Sequence, residues 1–177
     1  WPMPREDVIR KSDALIVCGG DGSILSVARC AATHSIPVLG VNFGQLGFLS
    51  EVEASGLTQA VDKLIEGEFT IERRLMLRAR WQDREVTALN DIVVRRESSL
   101  AVVREDVHVD GLLLDHYVED GGLVSTPTGA SAYALSCGGA IVHPKLNCLS
   151  LMSICPHSLR ARPVMLAPEQ VICVDIA

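Results

Sequence analysis

Hydrophobic positions at the start of the chain fall in short unbroken runs. Residues 14–18 (Ala-Leu-Ile-Val-Cys) end in a Gly-Gly pair and predict a buried strand. From Ser23 the period changes: Ile24, Leu25, Val27, Ala28, Ala31 and Ala32 recur at helical spacing. Residues 37–41 (Pro-Val-Leu-Gly-Val) predict a second buried strand. Strand, helix and strand joined by short links make a βαβ unit, whose strands run parallel. A glycine-rich loop covers 42–50, and Leu57, Ala60, Val61, Leu64 and Ile65 then mark a helix that ends near Gly67.

Beyond Phe69 the texture becomes strand-like, with runs at 69–81, 86–95, 101–109, 112–118, 149–154, 163–166 and 170–176. Asp110-Gly111 between two of these runs predicts a hairpin. A single helix is predicted over 129–137. The pattern places a domain change near 68–74: residues 1–70 form an α/β domain and 71–177 a mostly β domain. Trp1 rather than Met opens the chain, and residue 177 falls inside a strand pattern, so the chain reads as a segment of a longer protein.

Composition narrows this reading. Of the 177 residues 48% are apolar but only 4% aromatic, so the core must be built from Val, Leu, Ile and Ala, which suit buried strands. A formal charge of −6 argues against bulk attraction to nucleic acid or an anionic membrane. A phosphate ligand would need backbone donors, a metal or a few placed basic groups. No apolar run is long enough to span a membrane and no leader pattern opens the chain. Six cysteines without a CxxC pair read as reduced core thiols of a cytoplasmic protein. The five histidines make no metal-ligand spacing. Arg73-Arg74 and Arg95-Arg96 read as solvated strand faces.

Three motifs carry candidate chemistry. Gly19-Gly20-Asp21-Gly22-Ser23 sits where a strand turns into a helix. Its glycines admit a close ligand, and the helix start offers free N–H groups to phosphate oxygens. A carboxylate among phosphates repels them unless it holds a metal or takes a proton from an attacking hydroxyl. The plain alternative is a βα turn with Asp21 as helix N-cap. Asn90 and Asp91, within the predicted strand 86–95, would grip ribose hydroxyls or an adenine edge, or else open an edge strand. The third motif runs from Asp120 through Ser125-Thr126-Pro127-Thr128-Gly129-Ala130-Ser131-Ala132-Tyr133 to Ser136. Its hydroxyls lie beside a predicted helix start, a second ligand site, and Tyr133 and Ser136 share a helical face.

In this order the three motifs resemble the NAD kinase family. So do the loop from Gly40 through Asn42, Phe43, Gly44, Gly47 and Phe48 to Glu51, and Cys155-Pro156-His157-Ser158-Leu159-Arg160-Ala161-Arg162-Pro163. The resemblance runs from Ala14 to Ile176. It implies a Rossmann-like N-terminal domain and a sandwich-like β domain, with NAD held between them. It further implies transfer of a phosphoryl group from ATP or polyphosphate to the 2′-hydroxyl of the adenosine ribose of NAD, giving NADP, aided by Mg²⁺ or Mn²⁺. Carried over by position, Asp21 would be the catalytic base, with Gly20 and Gly22 beside the phosphates. Phe48 would pack near the adenine, Asn90 and Asp91 would contact NAD, and Asp120 would face the nicotinamide half. Ser131, Ala132, Tyr133 and Ser136 would line the dinucleotide pocket. No residue is assigned to the metal. The family forms dimers or tetramers, and its members extend further at both ends.

Two departures stand out: Ala130-Ser131-Ala132-Tyr133 where Ser-Thr-Ala-Tyr is common after the glycine, and Gly122 where an aliphatic residue is usual. The GGDG loop is shared with lipid kinases and phosphofructokinases. A lipid or sugar kinase and a non-catalytic dinucleotide-binding regulator are therefore the rival readings.

Overall fold

A computed structural model describes residues 5–44, 47–96 and 102–176 of the chain. Contacts within it divide the chain into two compact units, 1–73 and 74–177.

In the first unit, helix α1 (Arg5–Arg10) precedes strand β1 (Leu15–Cys18), helix α2 (Asp21–Thr33) and strand β2 (Val38–Asn42). A short strand β3 (Val52–Glu53), a 3₁₀ turn and helix α3 (Leu57–Glu66) complete it. The three strands form a parallel sheet in the order β1-β2-β3, with Leu15 opposite Val38 and Cys18 opposite Val41. The βαβ crossover is thus present. Helix α2 buries Ile24, Val27 and Ala31, and Val41 of the central strand is fully buried. β1 departs from the expectation of a fully buried strand: at the edge of the sheet it leaves Ile16 and Cys18 exposed. α3 stops where Gly67 adopts φ +76°, and Glu68 N–H closes the end onto the Lys63 carbonyl at 2.9 Å.

In the second unit β4 (Leu77–Trp81) and β5 (Arg84–Ala88) form a hairpin. They are followed by β6 (Asp91–Arg95), β7 (Val103–Val109), β8 (Leu112–Glu119) and β9 (Gly121–Ser125). A 3₁₀ turn over Thr128–Ser131 leads to a single α-turn, α4 (Tyr133–Ser136), and then β10 (Leu149–Ile154), β11 (Val164–Leu166) and β12 (Ile172–Ile176). One antiparallel sheet has the order β11-β10-β9-β6, and another β12-β7-β8. Leu77, Val107, Leu149, Leu151 and Leu166 make one core, with side chains from both sheets. Leu123, Ala134, Met152 and Ile154 make another, where α4 packs on the four-stranded sheet. Neighbouring residues Leu151 and Met152 of β10 serve different cores, so this strand is buried on both faces. The layering is sandwich-like, as expected.

The predicted hairpin at Asp110-Gly111 is present, with φ +51° and +81° at the two turn residues. Three local expectations fail. Residues 69–76 lie outside any strand, and the run 86–95 is broken by a bend at 89–90. The helix predicted over 129–137 is split at Ala132, whose ψ of −127° is not helical. All six cysteines are free, but none is fully buried: Cys18, Cys155 and Cys173 are exposed and the others half-buried, with Cys137 packed against the second core.

Candidate functional site

Asp21 is the first residue of α2, and Gly20, not Asp21, occupies the N-cap position. The carboxylate points instead across to the loop after β2. One oxygen accepts Phe48 N–H at 2.9 Å and the other accepts Leu49 N–H at 3.0 Å. These bonds fix its orientation and leave lone pairs on each oxygen. Gly47 makes the approach possible, because a Cβ there would overlap the Asp21 carboxylate. At Gly20 and Gly22, by contrast, a Cβ would meet nothing within 4 Å. The protein itself does not demand glycine at either place; the backbone there faces open space. The loop is further braced by Asn42, which accepts Gly44 N–H at 2.9 Å. Phe48 presents its ring to solvent at 73% exposure.

In the second unit the hydroxyl-rich segment plays a part that sequence reasoning did not foresee. Ser125 and Thr126 are completely buried. Thr126 Oγ1 donates to the Leu89 carbonyl at 2.6 Å and accepts Gly129 N–H at 3.1 Å, while Thr126 N–H donates to the Asn90 carbonyl at 2.8 Å. Gly129 lies so close to Asn90 that a Cβ would overlap its carbonyl. These hydroxyls therefore clamp the bend at 89–90 and are not free ligand donors. Thr128, the third, accepts a bond from Arg74 at 3.4 Å.

The clamp presents Asn90 and Asp91. Asn90 sits in the bend rather than in the strand expected over 86–95. Its Oδ1 is buried with no hydrogen-bond partner among the described residues. Asp91 opens β6 opposite Ser125, and burial pushes its carboxyl above the usual range. Ser131 and Ala132 follow the clamp, half-buried, with Ser131 Oγ 3.5 Å from the Thr128 carbonyl. Tyr133 and Ser136, at the two ends of α4, are both exposed.

Asp120 is elsewhere. It precedes β9, whereas Ser125 and the clamp lie at that strand's far end, roughly 17 Å away along five residues. Its carboxylate is held by Arg96 at 2.9 Å, both side chains about three-quarters buried. Arg96 is thus an ion-pair partner and not a solvated strand residue, and Arg74 is likewise engaged. These partners lie 24 and 54 residues from the groups they hold, so no local pattern announces them.

Residues 5–69 match the ATP-NAD kinase N-terminal domain and residues 89–177 the ATP-NAD kinase C-terminal domain. The chain belongs to the NAD kinase family. It is 44% identical to the NAD kinase of Caldanaerobacter subterraneus subsp. tengcongensis over 97% of this chain and 62% of that protein. It is also 44% identical to the NAD kinase of Heliobacterium modesticaldum, over 99% of this chain and 64% of the relative. The chain thus spans less than two thirds of the length of these relatives. Among solved structures, yeast NADH kinase complexed with NADH superposes with a TM-score of 0.88 at 31% identity, covering 98% of this chain and 53% of that one. An NAD kinase from Archaeoglobus fulgidus in complex with ATP gives 0.85 at 27% identity, covering 99% and 69%. The NAD kinase family accounts for both halves of the chain. Among the described residues no helix is long and apolar enough to cross a membrane.

Proposed function

We propose that the protein carrying this chain phosphorylates the 2′-hydroxyl of the adenosine ribose of NAD, giving NADP, with ATP or polyphosphate as donor and Asp21 as general base. One observation carries the reading: a carboxylate oriented by two loop amides stands between two glycines whose backbone faces open space. A phosphate chain needs that close backbone approach, and a helix start favours its charge. Asp21 would accept the hydroxyl proton as the ribose oxygen attacks the γ-phosphorus and the β–γ bridging bond breaks. The amides of Phe48 and Leu49 keep the carboxylate from turning away.

The second unit supports the dinucleotide half of the reading. The unpartnered Oδ1 of Asn90 is an acceptor that a ligand N–H or hydroxyl would satisfy. Asp91, Ser131, Ala132, Tyr133 and Ser136 lie on the segments next to it, and the exposed ring of Phe48 suits stacking on a base. Asp120, at the other end of β9, would serve a more distant part of an extended ligand.

The donor set near Asp21 fits a divalent metal held mainly through phosphates: Mg²⁺ commonly takes one carboxylate, water and phosphate oxygens. Such an ion would neutralise charge on the transferring group. The six unpaired cysteines support a reducing compartment, the cytoplasm.

The test is NADP formation from NAD, ATP and Mg²⁺ by the full-length protein, with Asp21→Asn in parallel. The variant should lose about two to four orders of magnitude in kcat while still binding NAD. A near-normal kcat in the variant would remove Asp21 from the chemistry, and absence of NADP from the wild type with both ATP and polyphosphate would overturn the activity.

A further inference from the structure

The fold gathers Glu6, Cys30 and His34 at one place, with a ligand atom from each lying within 4.8 Å of the others. Cys30 and His34 are one helical turn apart on α2, a spacing that sets both side chains on one face. His34 is the C-cap residue, where the helix ends and the side chain is released from the regular stack; its backbone N–H returns to the Cys30 and Ala31 carbonyls at 3.3 and 3.2 Å. Glu6 comes from α1, the helix that packs beside α2. Glu6 is exposed, while Cys30 and His34 are half-buried. None of the three side chains makes a hydrogen bond or ion pair with another described residue.

We propose that Glu6, Cys30 and His34 form a zinc site that ties α1 to α2. The chemistry selects the metal. A thiolate and an imidazole disfavour Mg²⁺ and Ca²⁺, which prefer oxygen, whereas one sulfur, one nitrogen and one carboxylate oxygen suit Zn²⁺. Bond lengths near 2.0–2.3 Å put tetrahedral ligands about 3.3–3.7 Å apart. The three groups therefore need close by no more than about 1.5 Å, which side-chain rotation supplies. Water takes the fourth position. Cys30 lies nine residues along α2 from Asp21, roughly 14 Å down the axis, so the ion is not one that bridges phosphates at the Gly-Gly-Asp-Gly loop. Its role is structural: it holds the chain ahead of β1 onto the end of α2, and its binding free energy adds to folding.

The test uses the full chain stripped of metal with EDTA. Zn²⁺ alone is titrated by calorimetry, and Co²⁺ is used as a spectroscopic substitute. One Zn²⁺ per chain, a rise in Tm on adding it, and a sulfur-to-cobalt charge-transfer band are expected. Cys30→Ser should abolish that band, and His34→Ala should weaken Zn²⁺ binding by roughly a hundredfold or more. Cys18→Ser, which removes the exposed thiol of the same unit, should leave both unchanged. No Zn²⁺ binding, or a band that survives Cys30→Ser, would overturn the site. Because the readouts are metal binding and stability, they stand whether or not the chain makes NADP.

Discussion

The Asp21 carboxylate reaches the amides of Phe48 and Leu49 only because residue 47 has no side chain. Gly47→Ala should therefore leave the fold intact, push the carboxylate aside and lower kcat by about a hundredfold, the scale of loss for an ångström-sized misplacement of a reacting group. Steady-state kinetics beside a thermal melt separates that outcome from unfolding. At this scale the sequence singled out Asp21 and its glycines, since a carboxylate in a glycine-rich strand-to-helix turn is chemically odd. It was silent about Gly47, whose need arises from a residue 26 positions away. It misjudged Ser125 and Thr126, read as free donors although backbone carbonyls at 89, 90 and 126 accept their hydroxyls. Arg96 was equally illegible, for its partner Asp120 comes from another strand end.

Among elements, the clamp between the 125–129 segment and the 89–90 bend decides how Asn90 is presented. Thr126→Val keeps the shape but strands the Gly129 N–H and the Leu89 carbonyl in a buried setting. Each stranded group should cost about 1–3 kcal/mol, seen as a lower Tm, while Thr126→Ser should recover most of the loss. The binding readout is distinctive: Thr126→Val should also raise the Kd for NAD, measured by calorimetry, because the bend that presents Asn90 loses its side-chain bond at Leu89. The parallel βα unit, α3 and the 110–111 hairpin were legible from period and turn chemistry. The break inside 86–95 and the β4–β5 hairpin were not. The latter turns through Gln82 at φ +52° with no glycine to mark it, so the runs 69–81 and 86–95 were separated in the pattern without a hairpin being expected between them.

Across the molecule as a whole, hydrophobic pattern led to a small α/β unit followed by a mostly β one, and the family resemblance added the sandwich-like layering, but the aliphatic composition hid one pair of carboxyl groups in the core. Glu105 of β7 and Glu119 of β8 are each 2% exposed and share a side-chain hydrogen bond. Each keeps one oxygen without a partner among the described residues. Burial raises both; Glu119 is carried to about 7, with the Glu105 charge adding to the rise and a bond to Ser153 opposing it. A carboxyl whose pKa is higher when folded binds more protons in the native state. Its contribution to stability is complete below about pH 4.5, falls as pH rises through about 7, and is flat above. Glu119→Gln should thus raise Tm at pH 8 more than at pH 5, and calorimetry across that range would show the difference shrink on the acid side. The pair also has a bearing on how this sequence can change. Gly122 of β9 lies beneath it, and a Cβ there would come within 2.8 Å of Glu105 and 3.3 Å of Glu119. Restoring an aliphatic residue at 122 in one step meets a wall of carboxylate, and replacing the glutamates alone leaves a hole. Positions 105, 119 and 122 are therefore epistatic: a larger residue at 122 must arrive with smaller ones at 105 and 119, and a library that enlarges 122 alone will find only losses.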